Sequence, residues 1–182
     1  KVAGLAGTDA GPAAIEAHLS LQQVLSALDR LEVRGRDSAG IHVLVHGHGL
    51  DLDAPSVRAL LEGRDDDLRF VSGAVRVADG HLAFVYKAAA EIGELGDNTA
   101  ALRAAITDDA LLRLALSAPT SEAVVLGHTR WASVGIISEP NAHPVCAEES
   151  DGVNRPYVAA ALNGDVDNHA DLRAEEGLVV AA

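Results

Sequence analysis

The chain has 182 residues, of which 48% are hydrophobic, but only two Tyr, two Phe and one Trp, so aliphatic residues and Ala must carry the core. That length suits one domain with a core of useful size. Fourteen basic residues against 27 acidic ones give a net charge of −13, which argues against nucleic acid or an anionic membrane as the main partner. A small anionic substrate stays admissible, because it feels local rather than net charge.

The single cysteine, Cys146, excludes an internal disulfide and fits a reducing, cytoplasmic setting. No apolar run reaches the roughly 18 residues of a membrane span, and no signal peptide is evident. The chain holds no Met and begins at Lys1, from which we expect a piece of a longer translation product or a processed start.

Residues 1–11, rich in Gly and Ala, are expected to form a short strand or an irregular arm. Gly11-Pro12 suits a helix start. Leu21, Val24, Leu25, Leu28 and Leu31 then follow the spacing of an amphipathic helix over about 13–32, with Gly35 at its end. Residues 39–48 alternate as a strand: Ile41, Val43 and Val45 on one face, His42, Leu44, His46 and His48 on the other. Three His on one face admit a zinc or iron site. No carboxylate stands at a supporting spacing, so a solvated or half-buried strand face is favoured and no metal is assigned.

A short helix is expected over 54–62. Asp65-Asp66-Asp67 lacks the Gly and closing Glu of a calcium loop and reads as a solvated turn. Asp79-Gly80 between 74–78 and 81–87 is a hairpin signal. Two helices follow, over about 99–106 and 109–116, with Asp97 or Asn98 capping the first and Asp108 the second. Strands are expected at 123–126 and 157–162, and a short helix at 169–176. Strand and helix runs without strict alternation favour an α+β fold with an antiparallel sheet.

The stretch from Gly127 to Pro144 reads Gly-His-Thr-Arg-Trp-Ala-Ser-Val-Gly-Ile-Ile-Ser-Glu-Pro-Asn-Ala-His-Pro and holds the only Trp. It follows the apolar run 123–126, so a site at a strand end is expected, held still by the sheet. Arg130 offers a rigid fork of donors suited to a carboxylate. The plainer alternative pairs Arg130 with a structural acid and sends Trp131 into the core. Cys146 stands near Glu148, Glu149 and Asp151, which should raise its thiol pKa and argue against a catalytic role.

Three stretches together carry a resemblance. Leu31-Glu32-Val33-Arg34-Gly35-Arg36-Asp37-Ser38-Ala39-Gly40-Ile41 resembles the helix-to-strand signature of class II glutamine amidotransferases. Gly127-His128-Thr129-Arg130-Trp131-Ala132 with Asn141-Ala142-His143-Pro144 is similar to their central loop, and Leu162-Asn163-Gly164 to their oxyanion strand end. Within that superfamily the likeness is greatest to the glutaminase domains of isomerising glutamine–fructose-6-phosphate aminotransferases. It covers about 21–41 and 121–175, in the family's order.

The resemblance implies a four-layer α/β/β/α N-terminal-nucleophile sandwich with antiparallel sheets, incomplete in residues 1–182, and sugar-isomerase domains outside this chain. It implies that an N-terminal Cys attacks the glutamine amide, with its own α-amino group as base. The thioester is hydrolysed to glutamate, and ammonia passes to a second domain that aminates a sugar phosphate. Asn163 and the Gly164 N–H match the oxyanion hole, and Arg34 an arginine close to the nucleophile. Arg130 matches the grip on the glutamine α-carboxylate, and Trp131 and Ser133 the pocket lining. No cofactor is implied, and a homo-oligomer through the other domains is expected.

This chain also departs from that pattern. Residue 1 is Lys, not Cys, and Cys146 lies mid-chain without a free amine. Ser133-Val134 stands where the family has Thr-His. The helix before Arg34 and the segment 87–120 are longer than usual, and the Asp that reads the glutamine amine is expected beyond Ala182. Two functions therefore stand: the glutaminase half of an aminotransferase, or an inactive domain of the same fold that binds a ligand or partner.

Overall fold

The computed structural model of the protein describes residues 1–7, 10–67, 69–90, 94–133, 135–148 and 157–177. In chain order the elements are α1 (Val2–Ala6), α2 (Pro12–Leu31), a 3-10 turn (Glu32–Arg34), β1 (Ser38–His46), α3 (Pro55–Leu61), β2 (Val75–Ala78) and β3 (His81–Ala88). Then come α4 (Asp97–Asp108), α5 (Ala110–Ala115), β4 (Glu122–Arg130), β5 (Val145–Glu148), β6 (Tyr157–Ala160) and α6 (His169–Glu176). Two antiparallel sheets result, one ordered β2-β3-β1-β4 and one made of β5 and β6.

The strand alternation of β1 sorts the layers. Ile41, Val43 and Val45 join Leu82, Phe84 and Tyr86 of β3 in the main core, packed against Leu21, Leu25 and Leu28 of α2 and Leu102 and Ile106 of α4. The opposite face meets the second sheet: Val85 packs with Phe70 and Ala74 against Cys146 of β5 and Tyr157 of β6. His42 stacks on Tyr157, with ring centroids 5.6 Å apart. Helix, sheet and sheet thus form three layers. A fourth, helical layer does not cover the second sheet among the described residues, since α6 buries none of its side chains. No helix among them is long and apolar enough to cross a membrane.

Local chemistry explains the well-anticipated elements. Pro12 opens α2, and Asp79 and Gly80, both at positive φ, make the tight turn between β2 and β3, as two-residue hairpins require. Gly127 lets α2 sit on β4: a Cβ there would lie 2.4 Å from Val24 Cγ1.

Other expectations are corrected. Residues 2–6 are helical rather than a strand or arm. Leu31 completes the sequence stripe of α2 but is exposed. Helix α4 is capped by neither Asp97 nor Asn98. Its N-cap is Gly96, and the wholly buried Glu32 accepts hydrogen bonds from the Gly96 N–H, the Thr99 N–H and the Thr99 hydroxyl. A carboxylate at a helix N-terminus is favoured by the helix dipole; here it arrives from another helix's end. Asp109, not Asp108, caps α5 by accepting from Leu111 and Leu112 N–H at 3.0 Å each. The segment after Pro144 contains β5, which its charges concealed.

The three strand histidines do not converge. His46 lies against His81, and His48 bonds Gly80 O through Nε2 and Leu50 N–H through Nδ1, each at 3.0 Å. Among the described residues no group of three or more His, Cys, Asp or Glu is placed to hold a metal.

Candidate active site

Strand β4 does not end at Leu126. It runs to Arg130, paired along its length with β1, so that Ser38 faces Arg130 and Gly40 faces His128. Paired residues share a sheet face, so His128 and Arg130 project together from the face that meets the second sheet. After Arg130 the described residues before β5, 131–133 and 135–144, lie in neither helix nor strand.

That irregular segment is fastened to the sheet. Lys87, buried on β3, donates from Nζ to Pro140 O at 3.3 Å, and Glu139 accepts from the Ser72 N–H at 3.1 Å. Burial lowers the Lys87 pKa, opposed by Cys146, Glu139 and Asp67. A Cβ on Gly40 would lie 2.4 Å from His143 O, so that carbonyl occupies the space a side chain would need. The glycine of the Ser38-Ala39-Gly40 stretch is therefore what allows the Asn-Ala-His-Pro segment to approach β1.

A cavity of about 760 Å³ opens at this end of the sheet. Arg34, Arg130, Trp131, Ser133, Asn163 and Gly164 all line it. These residues come from the turn before β1, the end of β4 and the segment after β6. The tertiary structure thus brings together every candidate site residue named from the sequence. Val134 lies outside the described residues, as do Glu149 and Asp151.

Trp131 is 67% exposed, so it forms cavity wall and does not fill the core. Arg130 donates from Nη1 to Ile136 O at 3.2 Å, which folds the loop back toward the strand end, and Asn141 Nδ2 donates to the same carbonyl at 3.3 Å. Ser133 Oγ approaches Asp165 Oδ1 at 3.5 Å, a long contact between the two loops.

Several lining residues carried no assignment from the sequence: His128, His143, Asp165, Asp167 and His169. His128 and His143 stand within two motifs, and that was the signal available; the acids and His169 follow Gly164 without one. The two imidazoles lie 4.8 Å apart between centroids. Burial lowers the pKa of His128, opposed by a backbone hydrogen bond with Leu162. Burial, with His128, Arg130 and Lys87 nearby, pushes His143 down to about 4. His143 Nδ1 accepts from the Leu162 N–H at 3.2 Å, which leaves its proton on Nε2.

Cys146 does not line the cavity. It sits between the sheets, where Tyr157 OH donates to Sγ at 3.1 Å. Its thiol pKa is raised, as expected; among the described residues burial is the cause of the rise, and Tyr157, Lys87 and Arg76 oppose it.

Comparison with known proteins gives one consistent result. The chain is 30% identical over 151 residues to a glutamine–fructose-6-phosphate aminotransferase (isomerising) of Acidithiobacillus ferridurans, covering 83% of this chain and 16% of that protein. It is 29% identical over 152 residues to the protein of that name from Mesorhizobium japonicum, covering 84% and 16%. It is 30% identical over 159 residues to that of Corynebacterium efficiens, covering 87% and 16%. The chain thus spans about 16% of the length of the curated relatives it matches. No family model and no solved structure matches. With its three motifs meeting at one cavity and these relatives sharing one name, the chain is a homologue of the isomerising glutamine–fructose-6-phosphate aminotransferases.

Proposed function

We propose that this chain is the glutamine-binding, ammonia-releasing part of a glutamine-dependent aminotransferase, with fructose 6-phosphate as acceptor in sugar-isomerase domains outside these residues. The observation that carries the reading is the convergence of Arg34, Arg130, Trp131, Ser133, Asn163 and Gly164 on one cavity. The charges of the lining support it further. Arg34 and Arg130 suit a carboxylate, while Asp165 and Asp167 suit an ammonium group. A small zwitterion such as glutamine needs both.

In this reading Arg130 takes the α-carboxylate, with Trp131 and Ser133 as walls. The Asn163 side chain and the Gly164 N–H bind the oxyanion as the amide carbon becomes tetrahedral. Donors of that kind contribute about 3 kcal/mol each when they fit the transition state better than the substrate. Arg34 stands beside the nucleophile. In this reading the nucleophile is a Cys supplied from polypeptide outside these 182 residues, since Cys146, half-buried between the sheets, does not line the cavity. The protein acts in the cytoplasm as an oligomer joined by its other domains, without a cofactor in this part.

The position of Cys146 also favours a second reading, a ligand-binding domain of the same fold without catalysis. One experiment separates the two. The full-length protein with its natural N-terminus is assayed for glutamate release from glutamine, and for glutamine binding by calorimetry. Release that disappears on blocking an N-terminal Cys supports the enzyme. Binding without release supports the second reading, and neither would reject both.

A further inference from the structure

We infer that Asp37 is a positioning residue that fixes the Trp131 wall of the cavity from behind. The functional half of this inference rests on the glutaminase reading above; the structural half does not. Asp37 is half-buried in the turn before β1 and does not itself line the cavity. Its Oδ2 accepts a hydrogen bond from the Ala132 N–H at 2.7 Å, and its own N–H donates to Arg130 O at 3.2 Å. The two bonds therefore grip the chain on either side of Trp131.

That grip matters because of where Trp131 stands. Its side chain is exposed, so packing cannot orient it. β4 ends at Arg130, so the strand ladder stops one residue earlier. Beyond the strand end, the Ala132 N–H would lose its partner without the Asp37 carboxylate. A bond from a backbone N–H to an ionised carboxylate is short and stronger than a neutral one, and a rigid support for the groups around a ligand is what a precise site needs. Asp37 also connects two cavity walls, since its own turn follows directly on Arg34.

The test uses the full-length protein with Asp37→Ala and Asp37→Asn. Asparagine keeps an oxygen that can accept from Ala132; alanine does not. Two quantities are measured: hydrogen exchange at the Ala132 amide, and KM and kcat for glutamine. Asp37→Ala should speed Ala132 exchange and raise KM about tenfold or more with kcat little changed. Asp37→Asn should restore most of both. Should Asp37→Ala not fold, Asp37→Ser, too short to reach Ala132, makes the same comparison. Unchanged exchange at Ala132 in Asp37→Ala would overturn the inference. So would accelerated exchange with an unmoved KM in an active enzyme, or equal collapse of the Ala and Asn variants. A wild-type protein that releases no glutamate would sink the glutaminase reading instead, and the clamp would then stand or fall on Ala132 exchange alone.

Discussion

The imidazole of His143 accepts a hydrogen bond from the backbone N–H of Leu162 at 3.2 Å, one residue before Asn163 and two before Gly164. The Asn-Ala-His-Pro motif thereby holds the segment that follows β6. Only a neutral imidazole can accept at Nδ1, and the low pKa of His143 keeps it neutral. If the bond sets the Asn163-Gly164 geometry, His143→Ala in the full-length enzyme should lower kcat for glutamine by about tenfold to a hundredfold. His143→Asn, which retains an acceptor, should lose less. Equal losses would show that the ring acts by bulk alone.

Acid should weaken the fold earlier than its carboxylates would. His42 and His143 are both held near about 4, chiefly by burial, against an ordinary value of 6.5. Between 6.5 and 4 the unfolded chain binds protons that the native state refuses, so stability falls as pH falls through that window. Asp109 acts further down. Burial raises its pKa, but Arg64, the Leu112 N–H and Tyr86 outweigh that and leave it lowered. Its stabilising effect is present above its unfolded value and is lost as pH drops through the lower folded one. The thermal midpoint should be lower at pH 5 than at pH 7. His42→Phe, which keeps a ring against Tyr157, should shrink that difference without abolishing it, since His143, His128 and His18 are lowered as well. A midpoint flat from pH 7 to pH 5 would refute the account.

Asp109 joins three elements. It pairs with Arg64 through two contacts, 2.5 and 3.2 Å, accepts from Tyr86 OH at 2.8 Å, and caps α5. Asp109→Ala takes the carboxylate partner from an internal phenol and from a half-buried guanidinium, which keeps its bonds to Gly73 O and Leu60 O. The expected loss is about 3 kcal/mol or more, read from urea unfolding. A loss below about 1 kcal/mol would mean that the surroundings re-pair these groups.

Gly127 tests the packing of α2 on the sheet. Gly127→Ala should destabilise by about 1–3 kcal/mol through overpacking against Val24. Adding Val24→Ala should recover part of that loss, because the new methyl then has room. An additive double variant would place the strain elsewhere.

Arg130→Lys keeps the charge and loses the fork. In the full-length enzyme it should raise KM for glutamine far more than it lowers kcat, since the α-carboxylate is held alike in ground and transition states. Synthesis supported by free ammonia should be nearly unchanged. A parallel fall in the ammonia reaction would mean that Arg130 holds the loop together, through Ile136 O, rather than the substrate.

The local elements were legible in the sequence for a physical reason: each depends on short-range chemistry. Pro12 opens α2, Asp79-Gly80 turns the hairpin and alternation marks β1; of the candidate site, the fork of Arg130 can be read from its chemistry, while Arg34, Trp131, Ser133, Asn163 and Gly164 come from the motif resemblance. Those signals lie within a few positions of the features they specify. What only the tertiary structure decided depends on partners far apart in the chain. Glu32 caps α4 across more than sixty positions, and Asp37 reaches Ala132 across ninety-five. The continuation of β4 through Arg130 needs β1 beside it, because an edge strand is defined by its hydrogen-bonded neighbour and not by its own residues. Cys146 reads from sequence as a thiol among acids, yet lies between two sheets where burial governs it. Composition could not place it there, since which face of a strand is covered is settled only when the second sheet arrives.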